Sequence, residues 1–346
     1  MMQISLKKHI LNFTFDAGTS RGVLKTKNTW FIRLQNKEGV TGIGEAGPLP
    51  KLSIDDQENF EEFIKEKSND ISLINSLHDI YEIVPSTLPS LIFALETAYL
   101  DLINGGKKCI YNTKFYSAQQ GIPINGLVWM NTASHMYQQA FEKINSGFNC
   151  LKFKVGALEF EEEVELLRNI RKNFPSIEIR LDANGAWSYE EALEKLKIFS
   201  QFNIHSIEQP IKAGLTESMA KLCRLKIIDI ALDEELIGIH IYKSELLTQI
   251  KPQYIILKPT LLGGFTQCDE WIDLAQKLSI GWWNTSALES NIGLNAISQY
   301  SHFKNPHKMH GLGTGKLFDN NINSPLEVIN GEIKYVKDAS WEEIIF

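Results

Sequence analysis

Five stretches decide the fold: CLKFKV at residues 150–155, IEIRLDAN at 177–184, IHSIEQP at 204–210, IIDIALDE at 227–234 and YIILKP at 254–259. In each stretch an apolar, often β-branched run ends at charged or polar residues. Amphipathic helical stretches separate the runs, for example Phe160–Asn173 and Tyr189–Phe199. Strand and helix patterns that alternate in this way are typical of an α/β protein with a parallel sheet.

The spacing of the strand ends favours a closed barrel over an open sheet. The charged ends Lys154, Asp182, Glu208, Asp233 and Lys258 follow one another at intervals of 28, 26, 25 and 25 residues. Eight runs are predicted: Ile122–Met130, Cys150–Val155, Ile177–Ala183, Ile204–Gln209, Ile227–Asp233, Tyr254–Lys258, Gly281–Ser286 and Lys308–Leu312. This number and spacing predict a modified (β/α)8-type, TIM-like barrel, in which the helix at Gly293–Phe303 is short. No GxGxxG follows the first strand, which disfavours a dinucleotide-binding sheet.

The first 118 residues do not follow this alternation and predict a separate α+β region. Two strand-like runs, Gln3–Phe13 and Thr29–Gln35, precede a glycine-rich loop at Gly42–Pro48. The apolar residues of Ser90–Asn104 recur at helical spacing, and two glycines end that helix.

Composition excludes several classes of protein. Of the 346 residues, 43% are apolar and 22% are charged, which is typical of a globular enzyme. The net charge of −7 and the lack of a Lys/Arg block disfavour nucleic-acid binding. No apolar run is long enough to span a membrane, and the N-terminus resembles a first strand more than a signal peptide. Four widely spaced cysteines without a CxxC pair predict reduced thiols and a cytoplasmic location.

The strand ends bring opposite charges to one rim, because active sites of parallel barrels lie at the C-terminal ends of the strands. Side chains alternate along a strand, so Lys152 and Lys154 point into the barrel together. Lys258 approaches from across the barrel mouth. Three carboxylates, those of Asp182, Glu208 and Asp233, lie between the lysines.

Three converging carboxylates repel one another unless a cation joins them. A ligand set of oxygens without His or Cys suits Mg²⁺, with Mn²⁺ as the second choice. Such a metal, acting as a Lewis acid, stabilises the enediolate that forms when a carboxylate substrate loses its α proton. Nearby cations also lower the pKa of a lysine, which makes it a competent base. The sequence therefore predicts α-proton abstraction from a small-molecule carboxylate.

Each of these residues also has an ordinary structural explanation. A Lys-x-Lys pair is most often a solvated strand face, and Asp182 suits the start of a helix. Glu208 and Asp233 could be loop charges, and Lys258 a surface strand end. All five explanations would have to hold at once, at near-constant spacing, which disfavours them together.

Other candidate residues are weaker. The histidines show no metal-ligand spacing, and His205 is expected to be structural. The segment Gly311–Gly315 after His310 predicts a tight turn that admits a substrate carboxylate to backbone N–H groups. Trp282 and Trp283 are expected to pack, with one ring inward. Ser286 has no His or Asp partner at the spacing of a hydrolase triad.

The motifs together resemble the enolase superfamily, in its muconate-lactonizing subgroup. The motifs that carry the resemblance are Lys152-Phe-Lys154, Asp182-Ala-Asn184, Glu208-Gln-Pro210, Asp233-Glu234 and Leu257-Lys258-Pro259. It implies a capping domain at residues 1–118, a modified barrel at 119–316, and a segment at 317–346 that returns to the cap. Loops of the cap at Asp16–Gly22 and Gly47–Ser53 would then close the site.

The resemblance also implies a role for each residue. Lys154 would take the α proton, Lys258 would face the enediolate from the opposite side as a cation, and Lys152 would tune Lys154. The metal would be held by Asp182, Glu208 and Asp233. The substrate contacts it implies are Asn184, Ser286, Gly311 and Thr314.

Within the superfamily, segments Thr285–Ser290 and Gly311–Phe318 resemble the dehydratases of menaquinone biosynthesis. These enzymes remove water from a cyclohexadiene carboxylate by syn elimination. An N-acylamino acid racemase or a dipeptide epimerase is the alternative, although Gly311–Gly315 lacks the Asp-x-Asp with which dipeptide epimerases hold an amino group. A non-catalytic barrel that serves as a binding protein is the remote alternative.

Overall fold

The computed structural model of the chain describes residues 2–19, 22–56 and 60–346. The N-terminal part combines an antiparallel sheet in the order β1-β2-β3 with a group of helices. Its elements are β1 (Gln3–Thr19), β2 (Gly22–Gln35), β3 (Thr41–Ala46), α1 (Phe60–Glu66), α2 (Ser68–Ile71), α3 (Leu77–Ile83) and α4 (Pro89–Ile103). Both predicted strands and the predicted helix at 90–104 are present, and β1 and β2 are longer than expected.

The glycine-rich segment predicted as a loop is mostly a strand, β3. A Cβ on Gly42 would lie 2.0 Å from the carbonyl oxygen of Ala98, and one on Gly44 would lie 1.9 Å from that of Ala94. The glycines therefore let the backbone of α4 lie directly against the strand. The loop prediction was wrong because this close approach cannot be detected from local composition.

The barrel follows from residue 122, and its seven regular strands form one parallel sheet in the order β11-β10-β9-β8-β7-β6-β5. These seven strands are β5 (Gly126–Val128), β6 (Cys150–Lys154), β7 (Glu178–Asp182), β8 (Ser206–Glu208), β9 (Ile230–Leu232), β10 (Tyr254–Leu257) and β11 (Gly281–Asn284). The short strand β4 (Ile122–Pro123) precedes them in the chain and pairs outside this sheet. The helices are α5 (Ala133–Asn145), α6 (Phe160–Asn173), α7 (Tyr189–Phe199), α8 (Thr216–Leu225), α9 (Lys243–Ile250), α10 (Pro259–Leu262), α11 (Gly264–Lys277) and α12 (Asn291–Lys304).

The eighth predicted run closes the sheet without forming a regular strand. His310 makes a parallel bridge to Ile124, and Gly311 makes one to Thr285. The backbone of these two residues thus joins the first and last strands. The preceding helix, α12, is 14 residues long rather than short. The modified barrel is confirmed, with a segment of two bridging residues in place of strand eight.

Side-chain alternation sorts each barrel strand into two faces. Phe153, Leu181 and Ile207 point outward into the main hydrophobic core under the helices. Their neighbours in sequence, including Lys152 and Asp182, point into the barrel. This alternation follows from the two-residue period of a strand and places Lys152, Lys154, Asp182 and Glu208 on the inner face.

The C-terminal residues run back over both parts of the molecule. Strands β12 (Leu326–Ile329) and β13 (Glu332–Tyr335) form a hairpin that pairs with β4. Phe318 bridges to Phe13 of β1. Ile344 packs with Phe31 of β2. The division at residues 118 and 316 stays a prediction.

A buried carboxylate on α4 fastens the N-terminal part to the barrel. Glu96 accepts hydrogen bonds from the backbone N–H groups of Phe265 and Thr266 at the start of α11, and from the Tyr81 hydroxyl at 2.5 Å. A Cβ on Gly264 would lie 2.1 Å from Glu96 Oε2. The carboxylate therefore supplies acceptors that the first turn of a helix lacks.

Two further predictions concern the whole chain. All four cysteines are buried and free of disulfides. In the described ranges we find no helix that is both long and apolar enough to cross a membrane.

We predict that Gly44→Ala destabilises the protein by roughly 3 kcal/mol, because the new methyl group forces α4 away from β3. Gly18→Ala is the matched control, since a Cβ there meets no atom within 4 Å. Urea unfolding of the three proteins measures the effect. Equal free energies of unfolding for the two variants would contradict the close approach of α4 to β3.

Candidate active site

The strand register places three charged residues in one row across the rim. Lys154 of β6 lies level with Asp182 of β7, and Asp182 lies level with Glu208 of β8. Asp233 and Lys258 follow the last residues of β9 and β10. The row explains why near-constant spacing along the chain becomes a cluster in space.

The three predicted lysines contact the three predicted carboxylates directly. Lys152 Nζ lies 3.0 Å from both Asp182 Oδ2 and Glu208 Oε2. Lys154 Nζ lies 2.7 Å from Asp182 Oδ2. Lys258 Nζ pairs with Asp233 and lies 3.8 Å from Glu208 Oε1. The structure therefore brings all six residues together.

Burial and charge act against each other in this cluster. Burial works to raise the pKa of Asp182, but the ammonium groups of Lys152 and Lys154 outweigh it and hold that pKa below its usual range. At Asp233 burial wins, and the pKa of its carboxyl is raised well above the usual value. The lysine ammonium groups therefore stabilise the charged form of Asp182 more than that of Asp233.

The expected lowering of lysine pKa values does not hold for two of the lysines. Burial works to lower the pKa of Lys152, but Asp182 and Glu208 raise it above its usual value. Asp233 and Glu208 outweigh burial in the same way and raise the pKa of Lys258. In this arrangement each ammonium faces carboxylates rather than a cation, which reverses the sign of the shift.

The carboxylates nevertheless suit a divalent metal. In the described ranges, no three His, Cys, Asp or Glu side chains are arranged to hold a metal ion as they stand. The lysine ammonium groups form ion pairs with the carboxylate oxygens that a metal would bind. Glu208 Oε1 is buried, yet it accepts no hydrogen bond from any residue that the structure describes. An unsatisfied carboxylate oxygen among hard oxygen donors fits Mg²⁺ or Mn²⁺.

Asn184, predicted to contact substrate, holds a lysine. Its Oδ1 accepts a hydrogen bond from Lys154 Nζ at 2.6 Å, and its Nδ2 donates one to Glu234 at 3.0 Å. Asp182 and Asn184 therefore fix the Lys154 ammonium from two directions. Asn184 still lines the pocket, where a ligand can reach it.

A pocket opens above the lysines, and its apolar wall was missed by sequence reasoning. The wall is formed by Leu49, Leu52, Leu127, Trp129 and Leu288. Two of these residues come from the N-terminal part and three from the barrel. The alternation of the first predicted run places Leu127 and Trp129 on one face, which is the signal that could have identified them.

Two polar residues of the pocket were also missed. Asn125 Oδ1 and Thr285 Oγ1 are buried, and neither has a hydrogen-bond partner among the described residues. They lie on either side of Gly311, where a Cβ would come within 2.6 Å of the Thr285 side chain. The pocket therefore offers unsatisfied polar groups on the side opposite Asp182.

The remaining predicted substrate contacts, Ser286, Gly311 and Thr314, line the same pocket. Thr314 donates to Ser286 Oγ at 2.8 Å. The Gly311 N–H donates to the carbonyl of Asn284 at 2.9 Å, so that N–H belongs to the barrel closure.

Of the two predicted lid loops, Gly47–Ser53 reaches the pocket through Leu49 and Leu52. In the other, Asp16–Gly22, Ser20 and Arg21 lie outside the described residues. Ala17 of that segment is buried in an apolar cluster with Leu49 and Leu288. Ala17 and the Gly47–Ser53 loop therefore pack against the barrel mouth.

Asp55 anchors the loop that carries Leu49 and Leu52. It is fully buried and accepts hydrogen bonds from the N–H and the hydroxyl of Ser90 at 2.8 and 2.5 Å. These bonds attach the loop to the first turn of α4. Burial raises the pKa of Asp55 to about 6.

The histidines and tryptophans considered from sequence pack within the barrel. His205 stacks on Tyr254 with ring centroids 5.2 Å apart. His310 is buried and accepts a hydrogen bond from the Asn284 N–H, and burial lowers its pKa to about 3. Trp283 packs with inward-facing residues, whereas Trp282 joins the outer core. One ring therefore does point inward.

Comparison with known proteins gives consistent matches. Residues 135–339 match the family described as enolase C-terminal domain-like. The o-succinylbenzoate synthase of Desulfotalea psychrophila is 44% identical, and the alignment covers 95% of this chain and 98% of that protein.

Solved structures match the fold over nearly its full length. The crystal structure of MenC from Desulfotalea psychrophila LSv54 has a TM-score of 0.87 at 40% identity and covers 96% of this chain and 99% of its own. The dipeptide epimerase from Enterococcus faecalis V583, solved with Mg and the dipeptide L-Leu-L-Tyr, has a TM-score of 0.84 at 19% identity. That match covers 98% of this chain and 97% of the epimerase, and at this identity it concerns the fold alone.

The raised pKa of Asp55 predicts how the free energy of unfolding depends on pH. Its pKa rises from 3.8 in the unfolded chain to about 6, so its contribution to stability is complete below pH 3.8 and is lost as pH rises through 6. We predict that the wild type loses up to about 3 kcal/mol between pH 4 and pH 7 relative to Asp55→Asn. Denaturant unfolding across this range measures the difference.

Burial also raises the pKa of Asp101 to about 6. Asp101 is present in both proteins, so its contribution to the pH dependence is the same in each. A difference between wild type and Asp55→Asn that does not change with pH would contradict the raised pKa.

Proposed function

The chain belongs to the enolase superfamily, and from this membership we propose that it is a metal-dependent dehydratase of the o-succinylbenzoate synthase type. The substrate would be 2-succinyl-6-hydroxy-2,4-cyclohexadiene-1-carboxylate, a step of menaquinone biosynthesis. The superfamily predicted from the sequence motifs is confirmed. The choice of reaction is supported by the 44% identical synthase, which matches 95% of the chain.

The row of Lys154, Asp182 and Glu208 beneath the pocket is the observation that carries the proposal. A base for an α proton must lie beside the groups that receive the negative charge of the substrate carboxylate. Lys154 Nζ lies at the pocket, held by Asp182 at 2.7 Å and Asn184 at 2.6 Å. The nitrogen is therefore held at the pocket, which supports the assignment of Lys154 as the base.

One lysine can perform both proton transfers of a syn elimination. Neutral Lys154 Nζ takes the α proton, and the electrons of the broken C–H bond move into the substrate carboxylate. The resulting Lys154 ammonium then gives its proton to the departing hydroxyl. The electrons held on the carboxylate return to form a ring double bond, the C–O bond breaks with its electron pair on oxygen, and water leaves. The ring becomes aromatic, which favours the products.

The other charged residues would stabilise the intermediate. Lys258 reaches the cluster from β10, on the far side from Lys154, and supplies a second cation. Asp182, Glu208 and Asp233 are the residues that would hold the metal. When bound, a divalent metal supplies Lewis-acid stabilisation of negative charge on the substrate carboxylate.

The pocket wall suits a ring-shaped substrate. Leu49, Leu52 and Trp129 present apolar surface from both the N-terminal part and the barrel. Such a wall excludes water from the enediolate and binds a cyclohexadiene ring by burial of apolar area. The lid loops then act as a cover that the barrel alone lacks.

A racemase or epimerase of N-acylated amino acids or dipeptides is the second candidate. Lys154 and Lys258 contact different ends of the carboxylate cluster, Asp182 and Asp233. Two lysines on opposite faces of one carbon would also support two-base racemisation. An assay that detects dehydration and racemisation separately distinguishes the two activities.

We predict that the purified protein with Mg²⁺ dehydrates the cyclohexadiene substrate and that Lys154→Ala lowers kcat roughly thousandfold. Lys277→Ala, a change on the exposed end of α11, should leave kcat unchanged. Calorimetry should show that Lys154→Ala still binds Mg²⁺, because all three carboxylates remain. Loss of the ultraviolet absorbance of the diene measures turnover.

Two results would contradict the proposal. Turnover of Lys154→Ala near the wild-type rate would remove Lys154 as the base. Deuterium incorporation from solvent at the α carbon of N-acyl amino acids, without any dehydration of the diene, would favour the racemase instead.

A further inference from the structure

Gln209, the middle residue of the Glu208-Gln-Pro210 motif, takes no part in the chemistry proposed above. Its side chain is fully buried, and it does not line the pocket above the lysines. Its backbone has a φ of 41°, in the left-handed region that residues other than Gly, Asn and Asp rarely adopt. Such a conformation persists only where the surrounding contacts hold it, and here those contacts reach Asp233.

The left-handed backbone of Gln209 ends the hydrogen-bond ladder between β8 and β9. The two strands share two residue pairs, and the Gln209 N–H then donates to the carbonyl of Ala231 at 2.9 Å. In a continuing parallel ladder, the Asp233 N–H would donate to the Gln209 carbonyl. That carbonyl instead accepts the Gly185 N–H at 2.7 Å. The ladder therefore stops one bond before Asp233.

The side-chain amide of Gln209 supplies the acceptor that the ladder lacks. Its Oε1 accepts the N–H of Asp233 at 3.1 Å and that of Glu235 at 3.4 Å. Its Nε2 donates to the Ile211 carbonyl and to Glu235 Oε2, both at 3.1 Å. Two donors face the oxygen and two acceptors face the nitrogen, so these contacts fit one orientation of the amide.

Glu235 extends the same hydrogen bonds to a second loop. It is buried, and its Oε1 accepts the Gly214 N–H at 3.0 Å. Gly214 lies in the loop after β8, whereas Glu235 lies in the turn after β9. Gln209 and Glu235 therefore join the two segments that follow the candidate metal ligands Glu208 and Asp233.

We propose that Gln209 is a positioning residue that sets the separation of the Glu208 and Asp233 carboxylates before a metal binds, which rests on the metal site of the proposed function. Glu208 directly precedes Gln209, and Asp233 is held through its own N–H, so one side chain fixes both strand ends. Ligands that are already in place lose less conformational freedom when a divalent cation binds. Gln209 thus favours metal binding through its neighbours rather than as a ligand.

Two substitutions remove the hydrogen bonds of the Gln209 side chain in different ways. Gln209→Met keeps the length of the side chain and removes its polar atoms. Gln209→Asn keeps an amide and suits a left-handed backbone, but it is one methylene too short to make the same contacts. Neither substitution changes the charge beside the carboxylates, so the electrostatic attraction of a cation is unaltered.

Gln253→Met is the matched control. Gln253 has the corresponding place at the opposite end of β9, where its Oε1 accepts the Ile230 N–H at 2.9 Å and its Nε2 donates to the Cys223 carbonyl at 3.2 Å. The substitution removes the same kind of hydrogen bonds from the same strand, away from the charged rim. General destabilisation of β9 would therefore appear in this variant as well.

Calorimetric titration of the full chain with Mn²⁺ is the first measurement. We expect the Kd of Mn²⁺ to rise at least about tenfold in Gln209→Met and in Gln209→Asn, and to stay unchanged in Gln253→Met. Hydrogen–deuterium exchange of the metal-free proteins is the second. The Asp233 and Glu235 amides should exchange at least about fivefold faster in both Gln209 variants, while the amides of β6 should keep their wild-type exchange.

Wild-type affinity for Mn²⁺ in both Gln209 variants would overturn the proposal, as would an equal loss of affinity in Gln253→Met. Faster exchange of the β6 amides to the same extent as at Asp233, in both variants, would also overturn it, because the loss of affinity would then reflect general destabilisation. If Gln209→Met does not fold, Gln209→Asn decides the outcome alone.

Failure of the proposed function would look different. A wild type that binds no Mn²⁺ contradicts the metal site itself, whereas equal Kd values in wild type and the Gln209 variants contradict only the role of Gln209. In the diene assay, the Mg²⁺ concentration that gives half the maximal rate should rise about tenfold in Gln209→Met. A lower kcat with an unchanged requirement for Mg²⁺ would contradict a role that acts through the metal ligands.

Discussion

Charge balance among three buried carboxylates is the constraint on which the rest of the structure depends. Asp182, Glu208 and Asp233 come from neighbouring parallel strands and lie almost out of reach of solvent. Carboxylates in such a place are tolerated only with cations beside them. Lys152, Lys154 and Lys258 supply those cations in this structure. The same oxygens fit a divalent metal, whose binding would release the lysines toward a substrate.

The N-terminal part, which caps the barrel, also contributes buried carboxylates to its contact with the barrel. Its apolar residues cover the barrel mouth, and its buried Glu45 accepts hydrogen bonds from the backbone N–H groups of Ser290 and Gly293 in the barrel. Glu96 fastens α4 to α11 by accepting the free N–H groups of a helix start. The cap therefore supplies hydrogen-bond acceptors to the barrel as well as apolar contacts.

Much of this could be predicted from sequence because it depends on local period and spacing. Alternation along β6 predicted that Lys152 and Lys154 share a face, and the intervals between strand ends predicted the barrel. The β3 strand was predicted as a loop because only the distant backbone of α4 explains its glycines. Asn125 and Thr285 were missed since they come together only around Gly311, far from both along the chain, where no local pattern indicates the contact. The two-residue alternation of the first predicted run could have indicated Trp129. It could not have indicated that residues of the cap complete the apolar wall of the pocket.

The most direct test of a metal held by Asp182, Glu208 and Asp233 is anomalous diffraction from crystals grown with Mn²⁺. We expect one strong anomalous peak in contact with oxygens of all three carboxylates, with the ammonium groups of Lys152 and Lys258 moved away from them. Intact lysine–carboxylate pairs at saturating Mn²⁺, with no peak between the carboxylates, would contradict it.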